Sequence, residues 1–496
     1  MENRYYHSTR GSGKLSPKEA VLRGIADDGG LYVWDGLEDV RLDLDALLKL
    51  DYQEMAKRLF AEVLWDYSEE ELARCVDLAY TGKFDSEQIT PLVMAGDLPV
   101  LELFHGPTSA FKDVALCMLP QLMSTALNGR KEKVMIVTAT SGDTGKAALS
   151  GFQDAENIGI TVFYPYGKVS DIQRLQMVCQ QGENVRVCAI RGNFDDAQSG
   201  VKRLFHSAQA KAALDEDHIV LSSANSINIG RLVPQIVYYF AAYRQLLEAG
   251  AVQMGEEVNF CVPTGNFGNV LAGYYAKLMG LPVHRLIVAA NENNVLEDFL
   301  NTGVYDRNRP FHQTISPSMD ILISSNLERM LYYLSGKDSV RVAGWMKDLA
   351  EQGRYEVDAQ TKEKIASLFL SASCDNAQTS AQIRSVYARC GYVMDPHTAV
   401  GAHVLEQLKD RLDGKVTVLL STASPYKFTR DVLKALGEAQ EGLDDFACMR
   451  KLEQLSKQKI PAGLYALKDM PERFADVISC EEMEEYVIAG AREILK

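Results

Sequence analysis

The chain of 496 residues has nine cysteines but no Cys-x-x-C pair. Cys75, Cys117, Cys179, Cys188, Cys261, Cys374, Cys390, Cys448 and Cys480 are scattered and odd in number, which excludes a dense disulfide framework and predicts a reducing compartment. No window approaches the roughly 20 apolar residues of a membrane span. The start Met1-Glu2-Asn3-Arg4-Tyr5-Tyr6-His7 has no apolar signal core. Together these features predict a cytoplasmic protein with no membrane partner. Positive charge is also short. With 52 Lys and Arg against 67 Asp and Glu, the net charge is -15, and a general nucleic-acid binder is excluded because such affinity rests on clustered cations. Any anionic ligand must be held by local donors. His397 and His403 lack metal-ligand spacing, so both read as structural and no metal is expected. Neither repeats nor low-complexity segments occur.

What is present is ample apolar material, 47% hydrophobic residues with 24% charged, in a chain too long for one core. Residues 1–90 carry helical patterns such as Ser16-Pro17-Lys18-Glu19-Ala20-Val21-Leu22, broken by Asp27-Asp28-Gly29-Gly30, and predict an α-rich accessory domain. From Lys131 onward, buried strands alternate with amphipathic helices. Strands are predicted at Val134–Thr138, Ile160–Tyr164, Val185–Ile190 and Ile219–Ser222, with helices near 145–155, 171–181 and 195–208. A second block predicts strands at Val258–Val262, Arg285–Ala290 and Val416–Leu420, with helices at 398–411 and 427–436. The pattern implies an α/β protein with two doubly wound parallel-sheet lobes. We expect a catalytic core over 91–435, with the small lobe about 130–235 and the large lobe from the remainder, followed by a helical tail over 436–496. In such sheets ligands sit at the carboxyl ends of strands.

Lys112 is the most informative residue. It lies in Phe104-His105-Gly106-Pro107-Thr108-Ser109-Ala110-Phe111-Lys112-Asp113, in the first turn of a predicted helix. The helix N-terminus carries partial positive charge, and burial also favours the neutral amine, the form that can add to an aldehyde. Three loops fall at strand-to-helix junctions. Thr140-Ser141-Gly142-Asp143-Thr144-Gly145 offers hydroxyls and helix-start amides to a carboxylate or phosphate; a capped turn explains it equally well. It is not a nucleotide P-loop, because Thr140 stands at the first glycine position and Ala147 at the Ser/Thr position. Gly265-Asn266-Phe267-Gly268-Asn269 lets backbone amides approach a phosphate closely. Ser421-Thr422-Ala423-Ser424-Pro425-Tyr426-Lys427-Phe428 offers neutral hydroxyls and one lysine.

In combination with Asn225-Ser226-Ile227-Asn228 and Asp395-Pro396-His397-Thr398-Ala399, these motifs give a chain that resembles threonine synthase of the bacterial and fungal type, a fold-type-II, tryptophan-synthase-β-like enzyme family that uses pyridoxal 5'-phosphate. The resemblance covers nearly the whole chain. It implies Lys112 as the Schiff-base lysine and Gly265, Asn266, Phe267, Gly268 and Asn269 as the cradle for the cofactor phosphate. It implies Thr422, with Ser421 as the alternative, facing the pyridine nitrogen, and Ser141, Asp143 and Thr144 beside the substrate carboxylate and the cofactor's phenolic oxygen. Many relatives have asparagine where this chain has Asp143, and an acid beside a phenolate should repel it unless a proton is shared. The implied reaction converts O-phospho-L-homoserine and water to L-threonine and phosphate. The substrate phosphate needs a second anion site, for which Lys427, Arg231, Ser226, Asn228 and His105 are candidates. Two other outcomes stay open: a phospho-lyase releasing 2-oxobutanoate, phosphate and ammonia, and a cofactor-binding regulatory protein without turnover. The expected assembly is a monomer or homodimer.

Overall fold

Two sheets, nearly all parallel, organise the chain; the computed structural model describes residues 4–140 and 142–495. The small sheet runs Val477–Ile478, Val185–Ile190, Ile158–Pro165, Lys133–Ala139, Ile219–Ser222, every pair parallel. Its central strand Ile158–Pro165 is buried at every position, as a strand covered on both faces must be. The large sheet runs Phe369–Ser373, Val283–Ala290, Val258–Pro263, Thr417–Ser421, Leu98–Glu102, Leu92–Ala95. Only Leu92–Ala95 is antiparallel, folding back on Leu98–Glu102 through the Gly96 turn at the sheet edge. The fold is the expected α/β architecture, with each expected strand present to within one or two residues.

Helix starts follow local capping chemistry. Ser170 caps Asp171–Val178, Asn193 forms a capping box for Phe194–His206, and Asp395 caps Pro396–Gln407, whose proline occupies the first helical turn. The helix expected at 427–436 begins instead at Thr429. Ser424 caps a 3-10 turn over Pro425–Phe428, and that tighter turn buries Lys427. Helix Asp143–Phe152 starts two residues earlier than expected.

The N-terminal segment packs helices Pro17–Arg23, Tyr52–Val63 and Glu69–Tyr80 with a short antiparallel pair, His7–Ser8 on Tyr32–Val33. Residues after 436 are not purely helical. Val477–Ile478 extends the small sheet, and Met483, Val487 and Ala491 of helix Met483–Ile494 close a core with Val137, Phe163 and Cys188. Residues 477–494 therefore complete the small sheet and its core rather than trailing from it. The buried helix Ile229–Glu248 lies against helices Gly268–Leu278 and Tyr52–Val63, joining the accessory segment to the large sheet. Among the described residues, no helix is long and apolar enough to cross a membrane.

Candidate active site

Lys112 is the first residue of the short helix Lys112–Leu116, and the segment before it is held to the loop after strand Thr417–Ser421. The Phe111 amide donates to the Thr422 carbonyl at 2.8 Å, and the Ser424 amide donates to the Ser109 carbonyl at 3.1 Å. Asp113 fixes the preceding turn by accepting from the Thr108 amide at 2.8 Å and the Thr108 hydroxyl at 2.5 Å. Gly106 is required there, since a Cβ would stand 2.5 Å from that of Asp113. The Lys112 backbone is thus located by both neighbouring segments, while its side chain is half-buried.

Burial pushes the Lys112 ammonium down to about 8; Asp143 opposes the shift, whereas Lys427 and Arg231 add to it. A lysine in this environment carries an appreciable neutral fraction near pH 7.5.

Asp143 begins helix Asp143–Phe152 and forms a buried ion pair with Lys427, Nζ to Oδ1 2.8 Å. It also accepts from the Ser318 hydroxyl at 3.2 Å and the Gln173 amide at 3.4 Å. Burial disfavours its charge, but Lys427 and then Lys112 outweigh that and hold the carboxyl well below the usual range. Thr144, next to it, is half-buried. Ser141 lies outside the described residues. Lys427, expected to be free for a substrate phosphate, is instead committed to Asp143 and to the Thr108 carbonyl at 2.9 Å. Its burial on the 3-10 turn is the reason.

The Gly265–Asn269 loop follows strand Val258–Pro263 and leads into helix Gly268–Leu278. Among the described residues, the amide N–H groups from 265 to 270 have no protein acceptor. Phe267 caps the helix in the left-handed conformation, φ 63°. The result is a concave row of donors at a positive helix end, the usual design of a phosphate cradle. The Asn269 side-chain oxygen accepts from Tyr238 at 2.5 Å and Tyr239 at 3.1 Å, while its buried side-chain nitrogen has no partner among the described residues. Gly265 passes so close to the Ser318 carbonyl that a Cβ would stand 2.7 Å from it. Ser318 therefore joins this loop to Asp143.

Thr422 is buried at the carboxyl end of Thr417–Ser421, and no acceptor or donor among the described residues engages its hydroxyl. Ser421 is already used, its hydroxyl 2.8 Å from that of Thr398 in the network around Asp395. His397 belongs to the same network: one ring nitrogen lies 2.8 Å from Asp395 and the other accepts from the Ser318 amide at 3.2 Å.

The remaining candidates separate. Arg231 is buried, and among the described residues it has no carboxylate partner; it donates to the Ala224 carbonyl at 2.9 Å and leaves Nε unpaired. Burial lowers its pKa to about 10, still fully cationic near neutrality. Ser226 is half-buried in the same turn. Asn228 is fully buried, and both ends of its amide are engaged, donating to the Val21 carbonyl and capping helix Ile229–Glu248, so it shapes the turn. His105 is held between Asp85 at 2.5 Å and Glu102 at 2.9 Å. Burial disfavours its charge, yet these two acids raise it to about 9. The acids flanking it would repel a phosphate, so the geometry does not support His105 as a phosphate ligand. Sequence reasoning missed Ser318 and Gln173. Both act through tertiary approach, and no local motif marks them.

The family model described as "Pyridoxal-phosphate dependent enzyme" matches residues 85–373. "Threonine synthase N terminus" matches residues 5–80 and "Threonine synthase, C-terminal" matches 398–487. "Threonine synthase" of Pseudomonas aeruginosa is 40% identical over 88% of this chain and 91% of its own length. "Threonine synthase-like 1" of Pongo abelii is 38% identical over 99% of this chain, which spans 66% of that protein's length. A crystal structure described as PLP-bound threonine synthase from Brucella melitensis superposes with a TM-score of 0.88 at 38% identity, covering 99% of this chain and 100% of that one.

Proposed function

Because the chain belongs to the threonine synthase family of pyridoxal-phosphate-dependent enzymes, we propose that it converts O-phospho-L-homoserine and water to L-threonine and phosphate. The observation that carries this reading is an amine of lowered basicity, Lys112, within the field of Asp143, which Ser318 joins to the open row of amides at Gly265–Asn269. These residues fit pyridoxal phosphate: the unpaired amides and the orphaned Asn269 nitrogen suit its phosphate, Lys112 its aldehyde and the free Thr422 hydroxyl its pyridine nitrogen.

When bound, the cofactor supplies an electron sink for negative charge developing on substrate carbon. The chain's own groups do the rest. Lys112, partly unprotonated near neutrality, takes the proton from Cα and serves as the proton carrier at Cβ, so that phosphate can leave from Cγ. With phosphate gone a proton is placed on Cγ, which becomes the methyl group; water then adds at Cβ with loss of one of its protons, and Lys112 returns a proton to Cα. Lys427 neutralises Asp143, so this carboxylate can stand beside a phenolic oxygen without the repulsion expected of a bare acid. Ser141 and Thr144 receive the substrate carboxylate. Arg231 and Ser226 receive the substrate phosphate, where an unpaired buried guanidinium gains a charge-assisted partner. A Thr422 hydroxyl leaves the pyridine nitrogen largely unprotonated, which moderates the sink. Nine unpaired cysteines suit a cytoplasmic setting.

The test is product analysis. Purified protein given pyridoxal phosphate and O-phospho-L-homoserine should release phosphate and threonine in equal amounts. Release of 2-oxobutanoate and ammonia would assign the phospho-lyase outcome, and binding without phosphate release would assign a non-catalytic role.

A further inference from the structure

Asn326 and Arg329 flank the start of helix Leu327–Leu334 and lie outside every motif singled out above. Both are fully buried. The Arg329 guanidinium uses all its nitrogens on neutral acceptors: Nε donates to the Tyr32 carbonyl at 2.9 Å, one terminal nitrogen to Asn326 Oδ1 at 2.6 Å and the other to the Ile227 carbonyl at 2.5 Å. No carboxylate among the described residues forms an ion pair with it; the adjacent Glu328 is taken by Arg10. With its oxygen held in this way, the Asn326 side chain must present its amide nitrogen to the opposite side. That nitrogen lies 3.2 Å from the Ser226 carbonyl and 3.1 Å from the Asn266 carbonyl, which also accepts from the Asn326 backbone amide at 3.1 Å.

Peptide planarity gives these contacts their consequence. In a trans peptide the C=O and the following N–H point in opposite directions. Holding the Asn266 carbonyl on Asn326 therefore aims the Phe267 amide away from it, toward the concave side of the glycine loop. Holding the Ser226 carbonyl does the same for the Ile227 amide. One buried side chain thus orients a peptide in each of the two loops that line the cleft, and a buried positive charge stands behind both.

We propose that Asn326, oriented by Arg329, is a positioning residue that sets the Ser226–Asn228 and Gly265–Asn269 loops in one register and thereby aims their amides at phosphate. The proposal rests on the reading of Gly265–Asn269 as the cofactor phosphate cradle. Its readout is the phosphate-specific part of binding, measured by titrating the full-length chain, stripped of cofactor, with pyridoxal phosphate and with pyridoxal. Wild type should prefer the phosphorylated form; equal affinity for the two would overturn the cradle reading itself. Asn326→Asp keeps the acceptor for Arg329 and loses the two donors. It should weaken pyridoxal phosphate binding by about tenfold or more, the loss of roughly one charge-assisted contact, and leave pyridoxal within about twofold. Asn326→Ser, which retains one short donor, should fall between the two and carries the same test if the aspartate variant does not fold. A phosphate preference unchanged from wild type in a folded variant, or an equal loss for both ligands, would refute the positioning role.

Discussion

Lys427→Met removes an ammonium 2.8 Å from Asp143 Oδ1, in a pair whose side chains are 0% and 3% exposed. Removing one partner of a buried pair costs about 3–5 kcal/mol, because the other charge is left uncompensated. Ser318 and Gln173 remain as donors to Asp143 at 3.2 and 3.4 Å, so the low end, about 3 kcal/mol, is expected. The more specific effect is on Lys112. Lys427 lowers the Lys112 pKa and Asp143 raises it, so losing Lys427 and freeing the Asp143 charge both act upward from about 8. At pH 7.5 a pKa near 8 leaves about a quarter of the amine neutral, whereas the ordinary 10.5 leaves about one part in a thousand. A rise of about one pH unit would cut the neutral fraction to about 3%, roughly eightfold less. The assay is the rate at which the stripped protein captures pyridoxal phosphate, followed by the visible absorbance of the bound cofactor as a function of pH. The midpoint should move about one unit alkaline, together with a lower melting temperature. An unmoved midpoint, or one shifted to acid, would refute the electrostatic reasoning.

His105→Gln should destabilise the protein at pH 6 by about 1–2 kcal/mol, discounted because Asp85 is largely exposed, and have little effect near pH 10. The sign follows from a folded pKa raised from 6.5 to about 9: the stabilisation is complete below 6.5 and is lost as pH rises through 9, so equal destabilisation at both pH values in melting experiments would contradict it. Gly265→Ala places a Cβ 2.7 Å from the Ser318 carbonyl, which must force the loop aside. Cofactor affinity measured by equilibrium titration should fall by tenfold or so, and wild-type affinity would count against a close-fitting cradle. Thr422→Val removes a hydroxyl that no partner among the described residues engages, just past the end of strand Thr417–Ser421. Turnover should drop about tenfold or more while cofactor affinity changes little, and an unchanged turnover number would shift the pyridine contact to another residue.

Much of the architecture was legible because buried parallel strands read as continuous apolar runs. Ile158–Pro165 and Val258–Pro263 are buried throughout, and their periodicity could not be mistaken for an amphipathic helix. Leu92–Ala95, Leu98–Glu102 and Phe369–Ser373 were not legible. Leu92–Ala95 is short and mostly part-exposed at the sheet edge, Leu98–Glu102 carries Pro99 at its second position, and Phe369–Ser373 mixes Ser and Ala with its apolar residues. The strand Val477–Ile478 is two residues long and exists only through its pairing with Ala189 and Ile190. At the site, Lys112 and the glycine loop were legible because helix starts and glycines have local signatures. The partner of Lys427 was not. Nothing in the spacing of residues 143 and 427 announces a buried pair; it arises when the two lobes meet and an unexpected 3-10 turn directs the lysine inward.

The central claim is that the Lys112 amine is the group that binds the cofactor aldehyde. Borohydride reduction of the cofactor-loaded protein, followed by digestion and mass spectrometric mapping, tests it directly. The pyridoxyl label should be found on the peptide containing Lys112 and be absent from that position in Lys112→Ala. A label on Lys146, Lys427 or any other lysine, with Lys112 unmodified, would contradict the account.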